Sequence, residues 1–103
     1  MIVRRALLAA PALLLALTPL HARADAAAGQ RLAQQWCANC HVIGGAAPKA
    51  TVPQGPPSFA AIAGHLDAGQ MRAFLSHPHG AMPDLALSRS EIDDLITYIE
   101  TLR

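Results

Sequence analysis

Apolar residues recur at helical spacing near the C-terminus of the chain. Ser88 and Glu91 have the serine-to-glutamate spacing of a capping box, which is typical of a helix start. An apolar stripe follows them, made of Ile92, Leu95, Ile96, Ile99 and Leu102. Steps of three and four residues place such side chains on one face of a helix. The pattern therefore predicts a closing helix that packs one face on a core.

Two further helices are predicted upstream of this one. Residues 25–40 begin with Asp25, a favourable N-cap, and their apolar face comprises Leu32, Trp36, Ala28 and Ala33. Residues 66–75 follow a similar pattern, with Asp67 as the N-cap and an end before Pro78. Their apolar face comprises Met71, Phe74 and Leu75. Because no stretch alternates between apolar and polar residues, we expect essentially no strand.

Two long segments between these helices have no hydrophobic period. Residues 42–58 are rich in glycine and proline, and residues 77–87 contain two further prolines. Such composition predicts loops. Loops this long in a small domain tend to be functional, so we expect them to wrap around something.

The first 24 residues have the order of a secretory signal peptide. Arg4 and Arg5 form a positive start, residues 6–17 are almost wholly apolar, and residues 22–24 are an A-x-A cleavage signal. The apolar run is too short for a membrane anchor, which needs roughly 20 apolar residues. We therefore expect cleavage after Ala24, export to the periplasm and one mature domain over residues 25–103, with no stable membrane insertion.

The composition of the mature chain limits its partners and its stability. It would hold five basic and seven acidic residues, a net charge of −2 with histidine neutral. Nucleic-acid binding calls for clustered positive charge, so that class is disfavoured. Large apolar side chains are scarce, with Trp36, Phe59, Phe74 and Tyr98 as the only aromatic residues. A chain this small usually needs a disulfide, a metal, a cofactor or a partner to hold it folded.

The only two cysteines lie in the sequence WCANCH, residues 36–41. A disulfide between Cys37 and Cys40 would close almost no loop and would stabilise little. A zinc site would need two further ligands from scattered histidines, without the paired spacing of a zinc finger. A thioredoxin-like thiol pair begins a helix after a strand, whereas this pair ends a predicted helix.

The remaining interpretation of C-x-x-C-H is the attachment of haem c. Two thiols one helical turn apart can add to the two vinyl groups of the ring as thioethers. The next residue, His41, is then placed to bind the iron. Covalent haem also suits an exported chain and supplies the apolar core that the composition lacks. The sequence therefore predicts one haem c per chain, attached at Cys37 and Cys40.

The mature chain resembles the small bacterial class I c-type cytochromes. The resemblance rests on residues 37–41 (CANCH), residues 55–59 (GPPSF), residues 80–83 (GAMP) and the closing helix. It implies an all-α cytochrome c fold, with three to four helices and long loops wrapped around one covalently bound haem. It also implies that Gly29 lets the first and last helices cross closely, with the aromatic Tyr98 packed on it.

The second axial ligand is predicted to be Met82. Met71 lies on an apolar helix face, where methionine usually fills a core. Met82 precedes Pro83 in a loop, and proline favours an extended backbone at the residue before it. In the family that this chain resembles, the axial methionine also precedes a proline. His77 and His79 remain rivals, because imidazole binds haem iron well.

The imidazole of His41 needs a hydrogen-bond acceptor for Nδ1, which fixes its tautomer and its plane. The resemblance implies a backbone carbonyl from the proline-containing stretch, supplied by Gly55, Pro56 or a neighbour. Pro56 is our prediction, with Pro57 packed on the ring. Phe59 and Ile62 are expected to line the pocket, and their positions are equally compatible with the core.

With His41 and Met82 on the iron, no open position is left for a substrate, so the expected function is one-electron transfer and not enzyme catalysis. The expected partners are periplasmic donors and acceptors of electrons, met by a monomer or a small subunit. Two alternatives stay open: a permanent subunit of a larger periplasmic oxidoreductase, and a haem sensor or peroxidatic protein with a labile sixth ligand.

Overall fold

The computed structural model describes residues 11–12, 23–45, 55–78 and 80–103. These ranges contain four helices and no strand: α1 (Ala26–Trp36), α2 (Phe59–His65), α3 (Ala68–Ser76) and α4 (Arg89–Glu100). The all-α fold class is thereby confirmed. Most of the predicted signal peptide, and residues 46–54 of the first predicted loop, lie outside the described residues. Within those residues no helix combines the length and hydropathy needed to cross a membrane.

The predicted helix starts are confirmed at their caps. The side chain of Asp25 accepts a hydrogen bond from the backbone nitrogen of Ala27 at 2.8 Å. Asp67 and Ser88 each form a reciprocal capping box with the third residue of the helix that follows, which is Gln70 for Asp67 and Glu91 for Ser88. Hydrogen bonds from Ser88 to the Glu91 carboxylate lower the pKa of Glu91, because they favour the charged form.

Helix α2 was not among the three helices that the sequence predicts individually. It has seven residues, FAAIAGH, and begins at Ser58, whose hydroxyl accepts from the backbone nitrogen of Ala61 at 3.1 Å. Three alanines and a glycine give it no readable apolar stripe, and an isolated helix this short is not stable in water. Its stability comes from packing, since Phe59, Ala60, Ala61 and Ala63 are all buried.

The core is formed around α4. Ile92, Leu95, Ile96 and Ile99 are all buried, as their spacing predicts, while Leu102 lies past the helix end and is half-buried. On α1 the buried residues are Gly29 and Ala33, with Leu32 packed beside them. Trp36, which its spacing places on the same helix face, is 53% exposed and lies on the wall of a cavity.

Helices α1 and α4 cross at Gly29, which confirms the close approach that the resemblance implies. A Cβ atom added at Gly29 would overlap the backbone carbonyl of Asp94 and lie 2.9 Å from Cβ of Tyr98. Only a residue without a side chain fits there. The crossing fixes the position of α4, and with it Tyr98, relative to the start of the chain.

Gly29→Ala is expected to destabilise the protein by about 2 kcal/mol or more, because the new methyl group overlaps backbone atoms that cannot rotate away. The helix propensity of alanine offsets only about 1 kcal/mol of the strain. Gly64→Ala in α2 is the matched control, since a Cβ there meets nothing within 4 Å. Urea denaturation should show a lower free energy of unfolding for Gly29→Ala and an unchanged one for Gly64→Ala. Equal stability of the two variants would contradict the tight crossing.

Candidate functional site

A largely apolar cavity of about 650 Å³ lies between the four helices and the loop that precedes α4. Its volume is in the range of sites that hold a drug-sized molecule or a cofactor. Every residue that the sequence predicts for the site lies on its wall. These are Cys37, Cys40 and His41 after α1, Pro56, Pro57 and Phe59 at the start of α2, and Met82 in the loop before α4.

The C-x-x-C-H motif forms a turn directly after α1. The backbone nitrogens of Cys40 and His41 both donate to the carbonyl oxygen of Cys37, at 3.1 and 2.9 Å. Both cysteines are free thiols; Cys37 is 7% exposed and Cys40 is exposed. Burial raises the pKa of Cys37, so its thiol stays protonated at neutral pH. The turn therefore presents two separate sulfur atoms and an imidazole to one cavity.

The imidazole of His41 is held by a backbone carbonyl. Its Nδ1 donates to the carbonyl oxygen of Pro57 at 2.7 Å. The prediction of Pro56 as the acceptor was wrong by one residue, since either proline could have supplied the carbonyl on sequence grounds. A carbonyl oxygen only accepts, so Nδ1 carries the proton and Nε2 keeps a lone pair that can bind a metal.

The ring of Phe59 packs near that of His41. The centroids of the two rings lie 5.5 Å apart with a tilt of 52°. Phe59 also meets Tyr98 edge-on, at a centroid distance of 6.4 Å. Phe59 is thus both a cavity residue and a link between His41 and α4.

Both candidate methionines lie on the cavity wall, in different settings. Met71 is 2% exposed and belongs to the hydrophobic core cluster, as its helix face predicts. Met82 is half-buried in the irregular segment before α4, next to Pro83. The difference in setting agrees with a packing role for Met71 and leaves Met82 as the methionine of a cavity-facing loop.

The other described histidines do not line this cavity. Nδ1 of His65 is hydrogen-bonded to the carbonyl oxygen of Ala61 at 2.7 Å, within its own helix. His77 is exposed and lines a separate groove beside α3. His79 lies outside the described residues. Across the described ranges, no three His, Cys, Asp or Glu side chains are grouped to hold a metal ion.

Sequence reasoning missed several contributions to the site. Leu66, directly before the N-cap of α3, and Leu85, in the loop before α4, also line the cavity, and neither belongs to the apolar face of a predicted helix. The hydroxyl of Tyr98 donates to the carbonyl oxygen of Ile43 at 2.7 Å, across 55 positions of sequence. Contacts at that separation depend on the tertiary fold and have no local signal.

The residues present fit a covalently bound haem. The thiols supply nucleophiles for thioether bonds, and His41 supplies a nitrogen ligand whose tautomer is fixed. Apolar side chains such as Phe59, Ile62 and Leu95 suit the flat faces of the macrocycle.

Comparisons with known proteins agree with this donor set. Residues 24–99 match the family model described as cytochrome c oxidase, cbb3-type, subunit III. The chain belongs to this family. It is also similar to Cytochrome c-552 of Bradyrhizobium diazoefficiens, with 43% identity over 82 residues that cover 78% of this chain and 77% of the relative. No solved structure gives a significant match.

These matches establish a small monohaem c-type cytochrome. Its cofactor is haem c, and Cys37, Cys40 and His41 form the motif that the attachment requires. The all-α fold agrees with this family. The predicted family, cofactor and electron-transfer class are thereby confirmed.

Proposed function

We propose that this cytochrome is a one-electron carrier of the periplasm, with His41 and Met82 as the axial ligands of one haem c attached at Cys37 and Cys40. The observation that supports it best is the hydrogen bond from Nδ1 of His41 to Pro57. It leaves Nε2 as the metal-binding atom and fixes the plane of the ring. When bound, haem c supplies an iron that cycles between the ferrous and ferric states.

The proposed ligand set excludes catalysis at the iron. With an imidazole and a thioether on its two sides, no coordination position is left for a substrate. The chain's own residues then tune the potential through the ligands, the Pro57 carbonyl behind His41 and the exclusion of water by the apolar wall. The proposed role is therefore electron transfer and not enzyme activity.

The proposed partners are exported redox proteins that give and take single electrons. Of the described arginines, Arg72 pairs with Asp93 at 2.7 Å and Arg103 lies 3.8 Å from Glu100, so part of the small positive charge is already neutralised. A strongly cationic docking face is therefore not expected. The complexes with redox partners should have a small contact area and a short lifetime.

A permanent subunit of a larger periplasmic oxidoreductase is the second candidate, and the family match to subunit III of a cbb3-type oxidase favours it. Isolation from native periplasm separates the two: a carrier should elute alone and be reduced or oxidised quickly by added redox fractions. Elution of the whole pool with an oxidoreductase would support the subunit. Rapid binding of carbon monoxide by the untreated ferrous protein would instead support a sensor or peroxidatic haem.

Cleavage after Ala24 would turn the backbone nitrogen of Asp25 into the α-amino group of the mature chain. That nitrogen lies 2.8 Å from Oδ1 of Asp94 on α4. A positive charge at the start of α1 is unfavourable next to the helix dipole, and the Asp94 carboxylate offsets it. Processing at this position would thus replace an amide hydrogen bond by an ion pair across the α1–α4 crossing.

This ion pair can be tested with chains that begin at Asp25 or retain Ala24 and the residues before it. Asp94→Asn should reduce the free energy of unfolding by about 0.5–1 kcal/mol more in the chain that begins at Asp25. Asp93→Asn is the control, because its Arg72 partner is the same in both chains. Equal losses for Asp94→Asn in the two chains, measured by urea denaturation, would rule the ion pair out.

A further inference from the structure

We propose that Tyr98 is a positioning residue for His41, an inference that rests on the proposed role of His41 as an axial ligand. The resemblance assigns Tyr98 only a ring that packs on Gly29. Its hydroxyl has a separate partner, the carbonyl oxygen of Ile43, at 2.7 Å. Ile43 lies two residues after His41, so the hydroxyl acts on the backbone that carries the ligand.

Residues 41–43 are held at three successive points. The side chain of His41 donates to Pro57, and the carbonyl oxygen of Val42 accepts from the backbone nitrogen of Phe59 at 2.9 Å. Both bonds join the segment to the start of α2. The bond from Tyr98 to Ile43 is different, since it joins the same segment to α4.

The surroundings of Tyr98 restrict its motion, so its hydroxyl can fix the position of the Ile43 carbonyl. It is 6% exposed, and its Cβ lies against Gly29 at the helix crossing. Its ring meets the edge of Phe59, which in turn packs on the His41 imidazole. A buried aromatic ring with few rotatable bonds is a rigid support. The contacts of the Tyr98 ring and of its hydroxyl therefore both fix the position of His41 relative to α4.

Removal of the hydroxyl alone should loosen this support. Tyr98→Phe keeps the ring contacts and leaves the Ile43 carbonyl without its donor from α4. Residues 41–43 would keep their bonds to the Cys37 carbonyl and to the start of α2 but would lose the bond to α4, and the hydrogen bond from His41 to Pro57 should open more often.

The test uses NMR of the ferric holoprotein and follows exchange of the Nδ1 proton of His41 with solvent. Tyr98→Phe should accelerate this exchange about five- to tenfold relative to wild type, as the loss of one hydrogen bond permits. The shifts of the haem methyl protons should change with it, because they follow the planes of the axial ligands. Exchange at the Leu95 amide reports opening of the whole core. Division of the His41 exchange rate by the Leu95 rate therefore isolates local opening around His41.

Thr97→Val is the matched control. It removes a hydroxyl from the neighbouring residue of α4, where Thr97 donates to the Asp93 carbonyl at 2.8 Å within the helix. In this variant, the exchange rate of the His41 Nδ1 proton divided by that of the Leu95 amide should equal the wild-type ratio. An unchanged ratio in Tyr98→Phe, or the same change in both variants, would overturn the positioning role while His41 remains a ligand. A wild-type His41 ring without iron-shifted resonances would overturn both this inference and the proposed ligand set.

Discussion

Met82→Ala is expected to remove the proposed methionine ligand and so to open the sixth coordination position of the iron. The far-red absorption band of the ferric protein, which depends on thioether ligation, should vanish. The reduction potential should fall, because a methionine ligand raises it in c-type cytochromes. Carbon monoxide, which a six-coordinate ferrous protein excludes, should bind readily. Absorption spectra of both oxidation states and a redox titration would measure all three effects.

Met71→Leu is the matched control for this experiment, since Met71 lines the same cavity from α3. Leucine nearly conserves the volume of methionine, so the stability should fall by less than about 1.5 kcal/mol. The far-red band, the potential and the exclusion of carbon monoxide should all remain. If the band survives in Met82→Ala and disappears in Met71→Leu, the assignment of the two methionines must be reversed.

The double variant Cys37→Ser/Cys40→Ser is expected to lose covalent haem and, with it, the cooperative fold. Four of the buried apolar residues are alanines, namely Ala33, Ala60, Ala61 and Ala63, which bury little area. Haem would also cover the apolar wall of a cavity of about 650 Å³, which faces water in its absence. The stability of a typical domain is only about 5–15 kcal/mol, so the loss of this burial is expected to remove much of it.

Circular dichroism during heating would measure this loss. The haem-free variant should show a broad, weakly cooperative change, whereas the wild-type holoprotein should melt in one sharp transition. The haem-free wild-type chain is the control, since it keeps both thiols and should resemble the variant. A sharp, native-like transition in either haem-free sample would show that the polypeptide core is sufficient by itself.

Local signals account for what the sequence predicted correctly. The capping box at Ser88 and the apolar stripe after it determine α4 from adjacent residues, and Asp25 and Asp67 mark two other helix starts in the same way. The motif at Cys37, Cys40 and His41 is equally local. All of these depend on residues within a few positions of one another.

The features that the sequence did not predict depend on distant parts of the chain. Helix α2 is stabilised by burial of Phe59 and its alanines rather than by its own pattern. The choice of the Pro57 carbonyl over that of Pro56 depends on how residues 55–58 approach His41. Trp36 shares the helical spacing of a core residue, yet it faces a cavity whose other walls come from later in the chain.

The most direct test of haem attachment is where the haem is found after the protein is denatured. Acid–acetone extraction should leave one haem on each chain, and peptide mapping by mass spectrometry should place it on the fragment that contains both Cys37 and Cys40. Haem that is extracted completely from the wild-type protein, or a mapped fragment in which both thiols are free, would contradict attachment at this motif.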